Sequence, residues 1–242
     1  MKLSNIILMG LAFCLITGLI ASNIVLKSEF DHSDKNDYKN WRFEKILEKP
    51  FKHVKIAGGN VVHVIFEPNK SSSVRINKYM NEIQKKETRV SISNDTLYLS
   101  YPVFNKEHDT KNKLRYNYSV RIFSPEILSV TASNANIELD KLEQKNLTIN
   151  LSGNSGLGIQ SKLNEMNQLL ISLQDSSKVY MKEDEFKKSA QTTFQLVQAN
   201  LKGRSILNLG RAKIKSLQLS IDDNSAIQLS GEALREFAKS KE

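Results

Sequence analysis

Apolar residues recur at every second position in the C-terminal half of the chain, and a short polar break interrupts each run. The stretch LTINLSGNSGLGI, residues 147–159, shows the pattern on both sides of a Gly-Asn-Ser-Gly sequence. Alternation with period two predicts β-strands that bury one face, because successive side chains of a strand point to opposite faces. A glycine-containing break inside such a run predicts a bend that joins two strands.

The pattern occurs four times, after an earlier degraded copy that ends Ser133, Ala135, Ile137, Leu139. The apolar lines are Leu147, Ile149, Leu151, Leu157 and Ile159; Leu169, Ile171, Leu173, Val179 and Met181; Val197, Ala199, Leu201, Leu207 and Leu209; and Leu217, Leu219, Ile221, Ile227 and Leu229. Their spacing of about 20 to 28 residues is typical of stacked solenoid repeats. We therefore predict an all-β fold whose C-terminal half is a right-handed parallel β-solenoid, with one coil per copy.

Eight residues are predicted to be structural corner positions of these coils. Glycine or aspartate occupies the bend because both tolerate positive φ, and a serine two residues later is expected to satisfy backbone groups of the turn. The eight are Gly153, Ser155, Asp175, Ser177, Gly203, Ser205, Asp223 and Ser225. Replacing Leu173 or Ile221 by Asp is expected to unfold the body, since each buried Leu or Ile contributes about 1.5–3 kcal/mol.

The N-terminal half is predicted to form antiparallel hairpins. FKHVKIAGGNVVHVIFEP alternates around Gly58-Gly59-Asn60, and RVSISNDTLYLSYP alternates around Asn94-Asp95, both of which are turn signals between strands. The charged stretch NKEHDTKNK, residues 105–113, predicts a loop.

The N-terminal segment Ile6–Leu26 contains no charge and lies between Lys2 and Lys27. At about 1.5 Å per residue it can cross the roughly 30 Å hydrocarbon layer of a bilayer. It is longer than the apolar region of a cleaved signal peptide and lacks the small-residue cleavage pattern, which favours an uncleaved anchor. Cys14 follows Leu11-Ala12-Phe13, which resembles a lipoprotein box except at Phe13, so lipidation is the less favoured alternative.

These features predict four segments: an N-terminal membrane anchor over 1–27, a polar stalk over 28–49 with a short helix ending at Pro50, an all-β domain over 50–232 with repeats from about 127, and a C-terminal cap or tail over 233–242. We expect the body to lie outside the cytoplasm, as in ordinary signal anchors.

The repeats resemble the GIN domain, a family found in proposed auto-transporter adhesins of bacteria. The matching stretches are LTINLSGNSGLGI, LLISLQDSSKVYM, QANLKGRSILNL and LQLSIDDNSAIQLSG, preceded by FKHVKIAGGNVVHVIFEP. Asp175 and Asp223 stand where the family has glycine, and the first unit reads SNANIEL. The resemblance, which covers roughly residues 50–232, implies a solenoid-like all-β body, an envelope location and an adhesin-like role. Together with the anchor, it predicts a single-pass protein of the bacterial cell membrane.

Carboxylates near equivalent corners allow two interpretations. Asp175, Asp222 and Asp223 could act as an acid–base pair or bind a cation, as in polysaccharide-acting β-helix enzymes. Alternatively, they bond their own turns, which is favoured because no third carboxylate or arginine recurs beside them. The enzyme alternative predicts that Asp175 and Asp223 lie in an open cleft.

Other candidate residues are given no catalytic, metal or cofactor role. A serine repeated in every coil is more typical of structure than of nucleophilic catalysis. The four histidines lack metal-ligand spacing, although His53 and His63 could face each other across a hairpin. They are His32, His53, His63 and His108.

The formal net charge of +9 favours anionic partners. Basic residues concentrate in the N-terminal half, at Lys70, Arg75, Lys78, Lys85, Lys86, Arg89, Lys111, Lys113 and Arg115. A tyrosine group could stack on sugars or pair across strands, and consists of Tyr98, Tyr101, Tyr116 and Tyr118.

The function predicted from the sequence is non-catalytic binding or scaffolding in the cell envelope, with an anionic glycan or an envelope protein as partner and with Ile6–Leu26 in the lipid bilayer. No nucleic-acid motif is present, so nucleic acid is not expected. A structural subunit of an envelope complex is the third alternative.

Overall fold

The computed structural model describes residues 3–32, 42–58, 63–79, 86, 88–101, 118–182, 192–231, 234–235 and 237. Helix α1 spans Leu3–His32. The strands are β1 (Phe43–Leu47), β2 (His53–Ala57), β3 (His63–Pro68), β4 (Ser73–Asn77), β5 (Arg89–Ser93), β6 (Thr96–Ser100), β7 (Tyr118–Ser124), β8 (Ser129–Ser133), β9 (Asn136–Leu142), β10 (Asn146–Ser152), β11 (Gly156–Ser161), β12 (Glu165–Leu173), β13 (Lys178–Met181), β14 (Thr193–Leu201), β15 (Ile206–Gly210), β16 (Lys213–Ile214), β17 (Leu217–Ile221) and β18 (Ala226–Leu229). The protein is therefore mostly β, with one N-terminal apolar helix.

The chain divides into two units, Met1–Phe43 and Glu44–Glu242. In the first unit, Ser4–Ser28 has a mean hydropathy of 2.1 and is long and apolar enough to cross a membrane. The hydroxyl of Thr17 in this helix donates to the backbone carbonyl oxygen of Phe13 at 2.9 Å. A polar side chain that bonds its own helix is compatible with an apolar surrounding.

The second unit contains two mixed sheets of nine strands each. The first sheet has the order β1-β4-β7-β3-β9-β11-β13-β15-β18, and the second has the order β16-β14-β12-β10-β8-β2-β6-β5, with β17 also paired to β14. From β8 to β15 successive strands alternate between the two sheets. The strand pairs in this region are parallel, because each strand returns to its sheet only after crossing to the other.

The apolar lines of the repeat are in register with one another. Leu151 lies opposite Leu173, Leu173 opposite Leu201, and Leu201 opposite Ile221. Inward side chains of both sheets share one core. Leu173 and Leu201 are 0% exposed, but Ile221 is 40% exposed. The expectation that Ile221 is buried as deeply as Leu173 is wrong, because β17 is an edge strand.

One predicted hairpin is confirmed and one is wrong. β5 and β6 pair antiparallel around Asn94 and Asp95, whose φ angles of 47° and 57° suit a tight hairpin turn. β2 and β3 flank the Gly58-Gly59-Asn60 sequence but do not pair, since β2 is in the second sheet and β3 is in the first. Both strands bury their alternating residues in the shared core, and this places them in opposite layers rather than side by side.

The residues before Pro50 differ from the expected short helix, because Phe43–Leu47 form β1, which pairs with β4. At the other end, Leu234, Arg235 and Phe237 are helical. The rest of the tail and the predicted loop at 105–113 lie outside the described residues, so the capping role of 233–242 stays a prediction.

Candidate functional site

The predicted corner residues lie where strands of the second sheet end and the chain crosses to the first. Gly153, Asp175 and Gly203 have φ angles of 64°, 63° and 71°. Asp223 has no positive φ. The expectation of a left-handed Asp223 is wrong because Asp222 builds a different turn, in which its Oδ1 accepts bonds from the Asn224 amide and the Ser225 hydroxyl.

The corner carboxylates bond the backbone of the preceding copy. Asp175 Oδ2 accepts a hydrogen bond of 2.9 Å from the Gly153 amide, and Asp222 Oδ2 accepts one of 2.6 Å from the Gly203 amide. The bond from Gly203, then that from Ser225, lowers the pKa of Asp222. Asp222 thus bonds its own turn, as expected, while the bonds of Asp175 and Asp222 to the preceding copy were not expected.

The four corner serines also bond backbone carbonyls. The donors and acceptors are Ser155 to Ser152 at 2.7 Å, Ser177 to Gln174 at 2.6 Å, Ser205 to Lys202 at 2.5 Å and Ser225 to Gly203 at 3.0 Å. The first three serines are buried. Their hydroxyls are therefore engaged in holding the turns.

The histidines considered as a pair lie in different sheets. His53 Nδ1 is 2.7 Å from the hydroxyl of Ser129, whereas His63 Nε2 is 3.3 Å from Oε1 of Glu138. Within the described part of the chain, no three His, Cys, Asp or Glu side chains form a group that could hold a metal ion. His108 lies outside the described residues.

A row of outward side chains crosses the second sheet from one edge strand to the other. In order from β5 to β17, the row consists of Ser91, Tyr98, Lys55, Thr131, Asn150, Ser172, Asn200 and Ser220. Neighbouring strands are about 4.8 Å apart, so the side chains follow one another at that pitch. Lys55 is the one charged member of this row.

A second row runs beside the first, two residues earlier in most strands. It consists of Ser93, Thr96, His53, Ser129, Thr148, Leu170, Gln198 and Gln218. We call the two rows together the polar face. Its C-terminal part, from β10 to β17, forms a shallow depression of about 440 Å³.

The polar face offers hydroxyl and amide groups that are not committed elsewhere. Among the described residues, the side chains of Asn150, Ser172 and Asn200 make no hydrogen bond. Amides and hydroxyls both donate and accept, and such groups can pair with the hydroxyls of a polar ligand. This face is not among the features predicted from the sequence, although polar residues alternate there with the same period of two as the apolar lines and in the opposite phase.

Of the tyrosines considered for sugar stacking, one is exposed and one is buried. Tyr98 points outward and is 40% exposed, with the ammonium of Lys55 5.6 Å from its ring centroid. Tyr101 is 4% exposed in the core, where burial raises the pKa of its phenol well above 10.0. Tyr116 lies outside the described residues, and Tyr118 begins β7.

The outer face of the first sheet carries charged side chains that pair with one another. Glu138 is 9% exposed, and its Oε1 lies 2.5 Å from the ammonium of Lys182 and 3.3 Å from His63. Glu67 pairs with Arg121, whose guanidinium lies 6.0 Å from the ring centroid of Phe123. The charged groups of this cluster are thus ion-paired within the protein.

Solved structures that match this chain come from Bacteroides and Parabacteroides species. A proposed adhesin from Bacteroides fragilis is 16% identical, with 78% of this chain and 96% of that chain covered and a TM-score of 0.49. A proposed adhesin from Parabacteroides merdae is 13% identical, with 78% and 95% covered and a TM-score of 0.39. A proposed lipid-binding protein from Parabacteroides distasonis is 11% identical, with 78% and 96% covered and a TM-score of 0.32.

No protein-family model matches the chain, and no curated protein matches it. At the identities of the structural neighbours, no function passes from them to this protein.

Proposed function

We propose that this protein is a membrane-anchored, non-catalytic binding protein of the bacterial cell envelope that recognises a glycan on its polar face. Glycans present many hydroxyl groups at regular intervals. A ligand of that kind needs regularly placed donors and acceptors rather than a deep apolar pocket. The two rows supply such groups on eight consecutive strands.

The observation that carries the proposal is the difference in charge between the polar face and the whole chain. The formal net charge is +9, and a quarter of all residues are charged. Yet from β8 to β17 the two rows contain only hydroxyl and amide side chains and Leu170. An uncharged, exposed face of this length supports recognition by hydrogen bonds rather than by net charge.

The proposal also includes the membrane anchor, membership of a family and the handedness of the fold. We infer that Ile6–Leu26 stays in the membrane and holds the body outside the cytoplasm, and that the chain is a member of the GIN family. The alternating parallel strands support a right-handed β-solenoid, since crossovers between parallel strands of one sheet are right-handed almost without exception. In such a solenoid the eight corner residues set the length of each bend.

The proposal is tested by binding of the full chain in lipid nanodiscs to an array of envelope and host glycans at low and high salt. The double variant Asn150→Ala and Asn200→Ala removes two amides from the centre of the polar face. Gln228→Ala, which removes one exposed amide from the outer face of the first sheet, is the control.

Binding that persists at high salt, weakens in the double variant and is unchanged in the control is the expected result. Each lost hydrogen bond contributes about 0.5–1.5 kcal/mol, so the double variant should bind roughly 5- to 150-fold more weakly. An array that stays blank at both salt concentrations would reject the glycan and favour an envelope protein as partner. Binding that vanishes at high salt would show that net charge alone attracts the ligand.

A further inference from the structure

A second depression lies at the β5 end of the polar face. It has a volume of about 580 Å³ and is bordered by Lys55, Tyr98 and Arg89. Tyr98 and Lys55 are neighbours in the first row, and Arg89 lies on β5 two residues before Ser91, on the same side of the sheet. The polar face is therefore asymmetric, because its one lysine, its aromatic ring and the adjacent Arg89 all lie at the β5 end.

The floor of this depression is made by small side chains. Ala57, Ser100 and Ser133 lie opposite one another on β2, β6 and β8. Arg89 is paired with Ser100 in the same line. Because none of these floor residues reaches far from the sheet, the longer side chains of Tyr98, Lys55 and Arg89 stand above it as walls.

Both cations at this end are available to a ligand. Lys55 and Arg89 are exposed, and neither makes an ion pair with any described residue. Lys55 is held beside the Tyr98 ring, which is a favourable position for an ammonium. An aromatic ring next to two unpaired cations offers an apolar platform and a charge-assisted anion contact within one depression.

We propose that this end of the polar face is the subsite for an acidic sugar, whose carboxylate or sulfate binds between Lys55 and Arg89 while its ring stacks on Tyr98. The inference rests on the proposed glycan binding and adds the ligand's class and direction. The acidic sugar lies at the β5 end, and uncharged sugars extend across β8 to β17. Lys55 and Arg89 together can make charge-assisted contacts to one anionic group. The strands from β8 to β17 offer no cation in the two rows to bind a second anionic group.

The experiment measures binding of the full chain in nanodiscs, at high salt, to polygalacturonate, hyaluronan and chondroitin sulfate. A neutral form of each polymer, with its carboxyl groups reduced and its sulfates removed, is measured beside it. The variant Lys55→Gln with Arg89→Gln removes both cations. The control Lys178→Gln with Arg204→Gln removes the same two charges from exposed positions outside the polar face.

We expect at least one acidic polymer to bind about tenfold or more tightly than its neutral form. That preference should disappear in the Lys55/Arg89 variant and remain in the control, and Tyr98→Ala should weaken the binding of both forms. Chondroitin sulfate carries both anions, so removing only its sulfates, or reducing only its carboxyl groups, separates carboxylate from sulfate as the group that is bound.

Two outcomes overturn the subsite, and they differ in what they leave standing. If acidic and neutral forms bind equally, or if both charge variants lose the preference to the same degree, the acidic subsite is wrong while glycan binding stands. If no acidic or neutral polymer binds and the glycan array is also blank, the subsite and the proposed function fail together.

Discussion

The outer faces of the two sheets are built on the same core but use their polar side chains in opposite ways. On the first sheet, Glu138 is 9% exposed and contacts His63 and Lys182, and Glu67 pairs with Arg121. On the second sheet, Asn150 and Asn200 are exposed and bond no described residue. The charged groups named on the first face are ion-paired within the protein, whereas these two amides of the second face are open to solvent or a ligand.

The difference follows from the burial of the outward positions. On the first sheet Ile65 and Phe123 point away from the core and are still only 4% exposed. Charged groups among such neighbours must be paired, since a partly buried charge without a partner is costly. Groups on the second face remain hydrated, and there an unpaired amide costs little. The contrast predicts that substitutions on the first face change stability and that those on the second change binding.

The largest effect is expected in the core that both faces share. Leu173→Asp places a carboxylate at a position with 0% exposure and should prevent folding, whereas Ile221→Asp, at 40% exposure, should lower the free energy of unfolding only modestly. Circular dichroism and urea unfolding of the full chain measure both. A folded Leu173→Asp variant would contradict the shared core.

The next largest effect is expected on the first face. Glu138→Ala leaves Lys182 and His63 without their carboxylate and should cost about 1–3 kcal/mol of unfolding free energy. Asn200→Ala on the polar face is the matched substitution and should change stability by less than about 0.5 kcal/mol. Urea midpoints at constant m-value compare the two. Equal losses in both variants would abolish the distinction between the faces.

A smaller effect is expected at the corner that joins the sheets. Ser177 is 0% exposed and its hydroxyl donates to the carbonyl of Gln174. Ser177→Ala should cost about 1 kcal/mol and leave glycan binding unchanged, because the hydroxyl lies on neither face. Thermal unfolding and the glycan array report on the two properties separately, and a loss of binding at wild-type stability would place this serine in the site.

The core of the fold could be predicted from the sequence, but part of the strand pairing could not. The burial of Leu151, Leu173 and Leu201 follows from their alternation, because period two leaves no other way to face one core. The pairing of β2 with β6 and β8 could not be predicted, because Gly58-Gly59-Asn60 resembles a hairpin turn. Whether the chain turns back to pair with β2 or crosses to the other sheet depends on strands that are distant in sequence.

The polar face was harder to predict than the core for a physical reason. Serine, threonine and asparagine are common at exposed positions of any sheet, so Asn150 or Ser172 alone carries no signal. Their significance arises from register, which places residues from eight strands in one line. The difference between Asp222 and Asp223 was equally hidden, because which aspartate closes the turn depends on the hydrogen bond from the Gly203 amide.

The smallest effect is expected from the pH dependence of that turn. The folded-state pKa of Asp222 lies below its usual value of 3.8, so its stabilising contribution is present above that value and is lost as the pH falls through the folded pKa. Asp222→Asn should therefore unfold at a slightly lower temperature than the wild type at pH 6, and the difference should narrow below about pH 4. A difference that is constant from pH 6 to pH 3 would contradict the charged form as the source.

The regular spacing of side chains along the first row of the polar face limits the ligand that the face can bind. The distance between successive side chains is set by backbone pairing at about 4.8 Å, and the eight strands of the row extend over about 34 Å. Substitutions along the row can therefore alter what is recognised at each step without altering the size of the step. Affinity should rise in increments as an oligosaccharide lengthens and should stop rising when the oligosaccharide is longer than the sheet is wide. The number of strands therefore fixes the longest stretch of ligand that one molecule can contact.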